Sequence, residues 1–82
     1  MPMFLDHHAM PEPTPEMKEG MAERLRSGSV DEHGVKGLNV YLADGEAYCL
    51  TEGPDADAVV RSHAALGLPI DRGDVVEVTS VV

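Results

Sequence analysis

Three side chains that can bind a metal ion follow one another near the start of the sequence: Asp6, His7 and His8. Successive side chains of an extended strand point to opposite faces, so Asp6 and His8 would share one face and His7 would lie on the other. A carboxylate oxygen and an imidazole nitrogen on one face can hold a borderline divalent metal ion. Two ligands make a partial site, so further ligands would come from elsewhere in the chain or from a second subunit. The alternative is that both histidines are simply exposed to solvent.

Two other residues could contribute chemistry, and each has a structural alternative. His63 follows the apolar stripe of a helical segment, which places it towards the rest of the fold. It is either a buried histidine that bonds a carbonyl or carboxylate, or a metal ligand or acid/base group. Cys49 alternates onto the apolar side of a strand and has no adjacent His or Lys to lower its pKa, which favours a core position over a nucleophile. Its access to a metal depends on the fold. His33 lies in a polar loop, where we expect it to be solvated.

No sequence motif of a known catalytic type accompanies these residues. The serines lack the Gly-x-Ser-x-Gly context of a nucleophile elbow, and no glycine loop with a following lysine could hold a phosphate. The sequence therefore predicts no particular reaction.

Size and charge restrict the classes of protein further. The 82 residues predict one domain over 1–82, and a net charge of −9 argues against nucleic acid or an anionic membrane as partner. No apolar run is long enough to span a bilayer, and no signal peptide opens the chain. A single cysteine excludes an intramolecular disulfide and fits a reducing compartment, so we expect a cytoplasmic protein.

The elements that would position these residues follow from hydrophobic patterning. We expect a strand around residues 3–8, a proline connector, and a helix over 15–27 that Thr14 caps and Gly28 ends. Met17, Met21 and Leu25 recur every four residues and form the apolar stripe of that helix. Gly20 beside them either admits a strand or weakens the helix.

A hairpin is the clearest unit in the sequence. Segments 35–43 and 46–51 flank Asp44-Gly45, a strong signal for a two-residue turn, which pairs Tyr41 with Tyr48. One face of this ribbon is apolar and predicts core: Leu38, Val40, Leu42, Ala47, Cys49 and Thr51. The opposite face is amphipathic: Asn39, Tyr41, Tyr48, Leu50 and Glu52.

A second helix and a last strand complete the pattern. Asp55 begins a helix that Gly67 and Pro69 end, and residues 74–82 are rich in β-branched side chains that favour a strand. The order β-α-β-β-α-β predicts an α+β, ferredoxin-like sandwich in which two helices cover one face of an antiparallel sheet. The tyrosine-bearing face has no cover within the chain, which predicts a homodimer formed through the sheet.

The sequence also resembles the small nickel-binding, ferredoxin-like domains, the nickel-responsive-protein-like family. The resemblance runs along nearly the whole chain, through residues that keep the family's order and spacing: Met1-Pro2, Phe4, Asp6, His8, Gly34-Val35, Tyr41, Cys49-Leu50, Pro54-Asp55, His63 and Gly67-Leu68. It implies a βαββαβ fold, a homodimer formed through the sheets, and nickel binding in at least one member.

The resemblance also implies site residues. Asp6 and His8 match the family's Asp-x-His, His63 matches the histidine of the second helix, and Cys49 matches the strand cysteine. The chain departs from the pattern at Gly20-Met21 and at Leu66, where members often carry histidine. His7, at a usually apolar position, could compensate for the two missing ligands.

We therefore expect a cytoplasmic, homodimeric metal-binding protein with Asp6, His7, His8 and His63 as ligands, nickel as the implied ion, and a storage, buffering or sensing role. An alternative is a small-ligand-binding or monooxygenase-like dimeric α/β barrel with a pocket near His63. A third is a protein-interaction module without ligand. A solvent-accessible pocket lined by His63 would favour the second over the third.

Overall fold

The structure, a computed structural model, describes all residues from 1 to 82. The regular elements are β1 (Met3–Ala9), α1 (Pro15–Ser27), β2 (Lys36–Ala43), β3 (Glu46–Glu52), α2 (Ala56–Ala65), a short 3-10 helix (Arg72–Asp74) and β4 (Val75–Val78). The strands form one sheet in the order β2-β3-β1-β4, and every neighbouring pair is antiparallel. This is the predicted ferredoxin-like α+β arrangement. Neither helix has the length and apolar character needed to span a membrane.

The β2–β3 hairpin has the predicted turn and pairing near its tip. Ala43 pairs with Glu46 and Tyr41 with Tyr48, around a turn in which Gly45 has a φ of +71°. The register shifts between Gly37 and Asn39, so Thr51 faces Gly37. The prediction that placed Leu38 on the face beside Thr51 is therefore wrong, because one extra residue bulges out of β2 at that point.

The glycine at position 37 also has a packing role. A Cβ atom there would lie 2.9 Å from Cδ2 of Leu25, so the missing side chain lets α1 approach β2. Close approach of a strand was one of the two roles predicted for Gly20, but Gly20 is exposed and no atom lies within 4 Å of its Cβ position. Gly20 is therefore an ordinary helix-weakening glycine.

Both helices begin at the predicted caps. The Thr14 hydroxyl accepts a hydrogen bond from the Met17 amide (3.2 Å), and the Asp55 carboxylate accepts one from the Ala58 amide (2.8 Å). Helix α1 ends at Gly28, whose φ of +66° is the left-handed conformation that glycine adopts without strain. These caps fix the ends of both helices over the sheet.

The last strand is shorter than predicted. β4 covers Val75–Val78, whereas the β-branched run suggested 74–82. The partner strand sets the limit, because Val78 pairs with Met3, the first residue of β1. Beyond Val78 there is no strand left to pair with.

The hydrophobic core is concentrated under α2. Its buried side chains come from β1, α2, β4 and the segments that flank β2 and β4: Phe4, Val35, Ala56, Ala58, Val59, Ile70 and Val75. In contrast, α1 buries none of its residues, and Met17 on its predicted core stripe is 52% exposed. The opposite face of the sheet carries no helix, as predicted, and leaves Tyr41, Tyr48 and Val76 accessible to solvent.

Candidate metal centre

Strand register brings three candidate ligands to the side of the sheet that faces the helices. Asp6 and His8 alternate on β1, and Asp6 is paired directly with Cys49 on β3. Asp6 and Cys49 are buried, and His8 is partly buried. His63 reaches the same place from the inner face of α2 and is 5% exposed. Two central strands and one helix thus supply a single cluster.

The ligand atoms of the four side chains converge. One carboxylate oxygen, one thiol sulfur and two imidazole nitrogens all lie within 4.8 Å of one another. Nε2 of His63 is 3.3 Å from Oδ1 of Asp6, and Sγ of Cys49 is 3.7 Å from Nε2 of His8. The rings of His8 and His63 meet edge to face, with centroids 5.7 Å apart.

The carboxylate of Asp6 is the least satisfied group in the protein. Its side chain is fully buried, and neither Oδ1 nor Oδ2 accepts a hydrogen bond. The Nε2 atom of His63 lies within ion-pair distance of Oδ1 but lacks hydrogen-bond alignment. A buried carboxylate with only this one contact is costly, because desolvation of a charge needs several compensating bonds. A bound cation would meet that need.

The Nδ1 atoms of His8 and His63 are each held by a backbone carbonyl. Nδ1 of His63 donates to the carbonyl of Val59 (2.9 Å), and Nδ1 of His8 donates to the carbonyl of Ala9 (3.1 Å). A carbonyl can only accept, so these contacts place a proton on Nδ1. Nε2 of each ring is then the atom available to a metal, an arrangement typical of metal-ligating histidines.

In the metal-free protein His63 carries a proton. Burial opposes its charge, but the interactions with Asp6 and Cys49 and the bond to the Val59 carbonyl outweigh burial and raise the pKa of His63 to about 10. At neutral pH an imidazolium therefore lies against the Asp6 carboxylate. A metal ion at this place has to displace that proton.

Not every histidine named in the sequence analysis joins the cluster. His7 lies on the opposite face of the sheet, exposed, with its ring centroid 5.6 Å from that of Tyr48. His33 lies in the loop before β2, with Nε2 3.6 Å from Glu32. The structure thus brings Asp6, His8 and His63 together and leaves His7 outside.

The donor set fits a borderline transition metal. Metal–ligand bonds of about 2.0–2.3 Å place donors in one coordination shell at most about 4.6 Å apart. The cluster spans 4.8 Å, so small side-chain movements would suffice. Imidazole and thiolate ligands suit zinc, copper and nickel, and the negative charges of Asp6 and a Cys49 thiolate would balance a divalent cation.

The sequence pattern left two roles open for Cys49, a position in the core or a metal ligand. Its thiol is buried, and its sulfur lies within the cluster of possible ligand atoms. The hairpin pattern alone could not predict that Cys49 lies beside Asp6, because their pairing depends on β1 lying next to β3 in the sheet.

A cavity of about 390 Å³ adjoins the cluster and lies between the sheet and the two helices. His8, Cys49 and His63 form part of its lining. An open pocket at His63 is the feature that separates the small-ligand alternative from a plain interaction module.

Comparison with known proteins identifies the family of the chain. Residues 4–78 match the family described as "Nickel responsive protein SCO4226-like". The chain belongs to the nickel responsive protein SCO4226-like family. The matched residues include all four members of the cluster. No curated protein matches the chain.

A solved member supports the fold. The crystal structure of SCO4226 from Streptomyces coelicolor A3(2) aligns with a TM-score of 0.73 and 28% sequence identity. The alignment covers 98% of this chain and 99% of that one. The resemblance seen in the sequence is thereby confirmed, as is the ferredoxin-like fold that it implied.

Proposed function

We propose that this SCO4226-like protein binds one divalent transition metal ion, nickel in the cell, through Asp6, His8, Cys49 and His63. The observation that carries the proposal is the buried Asp6 carboxylate, both of whose oxygens lack a hydrogen bond among three other ligand atoms. Asp6, His8 and His63 are the ligands expected from the sequence, and Cys49 joins them. His7, on the other face of the sheet, is outside the proposed site.

Two arguments favour nickel. The family to which the chain belongs is described as nickel responsive. A site with two imidazoles and a thiolate also follows the usual order of divalent-metal affinities, in which nickel and copper bind more tightly than manganese. When bound, such an ion would supply the positive charge that Asp6 lacks.

The proposed role is storage, buffering or sensing of the metal in the cytoplasm. The ligands come from β1, β3 and α2, so metal binding would fasten α2 to the sheet and couple occupancy to the packing of the core. Such coupling lets a small protein report metal concentration. A thiol ligand also suits a reducing compartment.

Calorimetric titration of protein purified without a histidine tag tests the site. We expect one nickel ion per chain, binding by zinc and copper, and little heat with manganese. His8→Ala should lower nickel affinity more than tenfold, because it removes a ligand. His33→Ala is the matched control and should change the affinity little. Equal behaviour of the two variants, or no heat with any of these ions, would contradict the proposal.

We further propose that the protein is a homodimer formed through the uncovered sheet face. Tyr41 and Tyr48 are 53% and 36% exposed there, and Val76 is 57% exposed. Contiguous apolar and aromatic surface on a sheet favours self-association.

Light scattering should therefore give about twice the chain mass of 8.8 kDa at micromolar concentration. Tyr48→Glu should shift the population to monomer because it buries a charge at the interface. Ala64→Glu adds the same charge on the helical side of the molecule and should leave the dimer intact. A monomeric parent protein would refute this part of the proposal.

A further inference from the structure

The last turn of α2, which carries His63, has no apolar anchor in the core. Ser62 and His63 are 4% and 5% exposed, whereas Ala64 and Ala65 are exposed to solvent. The core residues of α2 lie earlier in the helix: Ala56, Ala58 and Val59. The contacts of two polar side chains, Ser62 and His63, therefore decide how closely this turn lies to the sheet.

Ser62 is bonded to a carboxylate that is itself fixed to the start of β2. Its hydroxyl donates a hydrogen bond to Oδ2 of Asp31, in the segment between α1 and β2. Oδ1 of the same carboxylate accepts hydrogen bonds from the backbone amides of His33 (2.8 Å) and Val35 (3.0 Å). Val35 is a buried core residue, and its carbonyl accepts a bond from the Asp31 amide (2.9 Å). One carboxylate thus connects the last turn of α2 to the core.

The charge of Asp31 strengthens this connection. Burial opposes ionisation of its carboxyl group, but the hydrogen bonds from Ser62, Val35 and His33 outweigh burial and lower the pKa of Asp31. The group is therefore a carboxylate at neutral pH. Hydrogen bonds to an ionised acceptor are stronger than those between neutral groups.

The other hydrogen bond near this turn cannot set its distance from the sheet. Nδ1 of His63 donates to the Val59 carbonyl, which belongs to the same helix, so this bond orients the ring and moves with α2. The remaining contact of His63 is with Asp6, where Nε2 and Oδ1 are 3.3 Å apart. Ligands of a metal site have to be held to within about 0.5 Å of their working positions. The bond between Ser62 and Asp31 is placed to supply that precision.

We propose that Asp31, acting through Ser62, is a positioning residue that holds the last turn of α2 at the distance from the sheet where His63 meets Asp6 and His8. The effect on nickel affinity rests on the proposed function. The position of His63 in the metal-free protein does not rest on it, so the two are tested separately.

NMR of chelator-treated protein tests the position of His63. The rings of His8 and His63 meet edge to face with centroids 5.7 Å apart, so nuclear Overhauser effects between their ring protons report the distance of α2 from β1. Ser62→Ala should weaken these effects at least twofold. Thr14→Ala, which removes the cap of α1, controls for a general loss of stability and should keep the intensities of the parent. Parent intensities in Ser62→Ala would overturn the proposal.

Calorimetric titration with nickel tests the consequence for binding. Ser62→Ala and Asp31→Ala should each lower the affinity about tenfold, the usual effect of losing a residue that orients a ligand, while Thr14→Ala should bind like the parent. Asp31→Asn should recover most of the loss, because its carbonyl can accept both backbone bonds and its NH₂ group can donate to the Ser62 oxygen. Unchanged affinity in Ser62→Ala, or equal losses in Asp31→Asn and Asp31→Ala, would overturn the proposal. If the parent binds no nickel, the proposed function is wrong, and the ring-proton intensities alone decide the role of Asp31.

Discussion

Removal of His63 from the metal-free protein should destabilise it severely. Asp6 is 1% exposed and accepts no hydrogen bond, so the imidazolium of His63 is the only opposite charge beside it. Taking away one partner of a buried ion pair costs about 3–5 kcal/mol, because the other charge stays buried and uncompensated. A domain of this size is stabilised by about 4–12 kcal/mol in total. His63→Leu should therefore lose a large fraction of the free energy of unfolding.

Urea unfolding of chelator-treated protein at pH 7 measures this loss. The double variant Asp6→Val/His63→Leu should recover most of it, because replacing both members of a buried pair with apolar residues is close to neutral. His33→Ala is the control, because this half-buried loop histidine lies outside the core beside the exposed Glu32, and it should lie within about 0.5 kcal/mol of the parent. If His63→Leu unfolds within about 1 kcal/mol of the parent, or the double variant is no more stable than the single one, the reasoning is refuted.

The pH dependence of stability gives an independent estimate of the same interaction. The folded-state pKa of His63 is raised from 6.5 to about 10. Its protonated form therefore stabilises the fold fully below about pH 6.5, and the contribution is lost as pH rises through about 10. At about 1.4 kcal/mol per pH unit, the interaction amounts to about 5 kcal/mol. The difference in unfolding free energy between the parent and His63→Leu should shrink over this interval. A constant difference would contradict a protonated His63.

Two further outcomes follow from the structure. Nickel affinity should keep rising with pH above the range of an ordinary histidine, by about tenfold per pH unit between pH 7 and 9 for loss of the His63 proton alone. Calorimetric titrations in buffers of different ionisation heat should detect the released proton. An affinity that stays constant above pH 7 would contradict the raised pKa of His63. Gly28→Ala should destabilise the protein by about 1–2 kcal/mol because residue 28 has a φ of +66°, whereas Gly20→Ala, in the exposed interior of α1, should stabilise it by about 0.5–1 kcal/mol. Thermal unfolding that moves both glycine variants in the same direction would contradict this assignment.

Local signals predicted most of the fold. Thr14 and Gly28 gave both ends of α1, and Asp44-Gly45 gave the turn and register at the tip of the hairpin. Each of these features is set by a few neighbouring residues whose backbone preferences are strong. The same is true of Asp55, whose side chain caps α2.

Features set by distant partners were harder to predict. The length of β4 is limited by where β1 begins, and the bulge at Leu38 displaces that residue from the face that carries Thr51. The stripe of α1 has the right period for a core helix, but it borders a cavity instead of a filled core. Periodicity gives the face of a helix and says nothing about how closely the sheet approaches it.

The residues of the candidate site also fall into those that local patterns predicted and one that depends on the whole fold. The Asp-x-His spacing predicted that Asp6 and His8 share a face, because strand alternation is a local property. The position of His63 on the inner face of α2 followed from helical periodicity. The participation of Cys49 needed the order of the strands, which only the complete fold supplies.

X-ray absorption spectroscopy of the nickel-loaded protein tests the central claim most directly, because it identifies the atoms bound to the metal. If Asp6, His8, Cys49 and His63 bind one ion together, the spectrum contains one sulfur ligand and imidazole scattering from two histidines, and Cys49→Ser loses the sulfur contribution. A nickel ion coordinated only by oxygen and nitrogen, with the same spectrum in Cys49→Ser, would contradict the account.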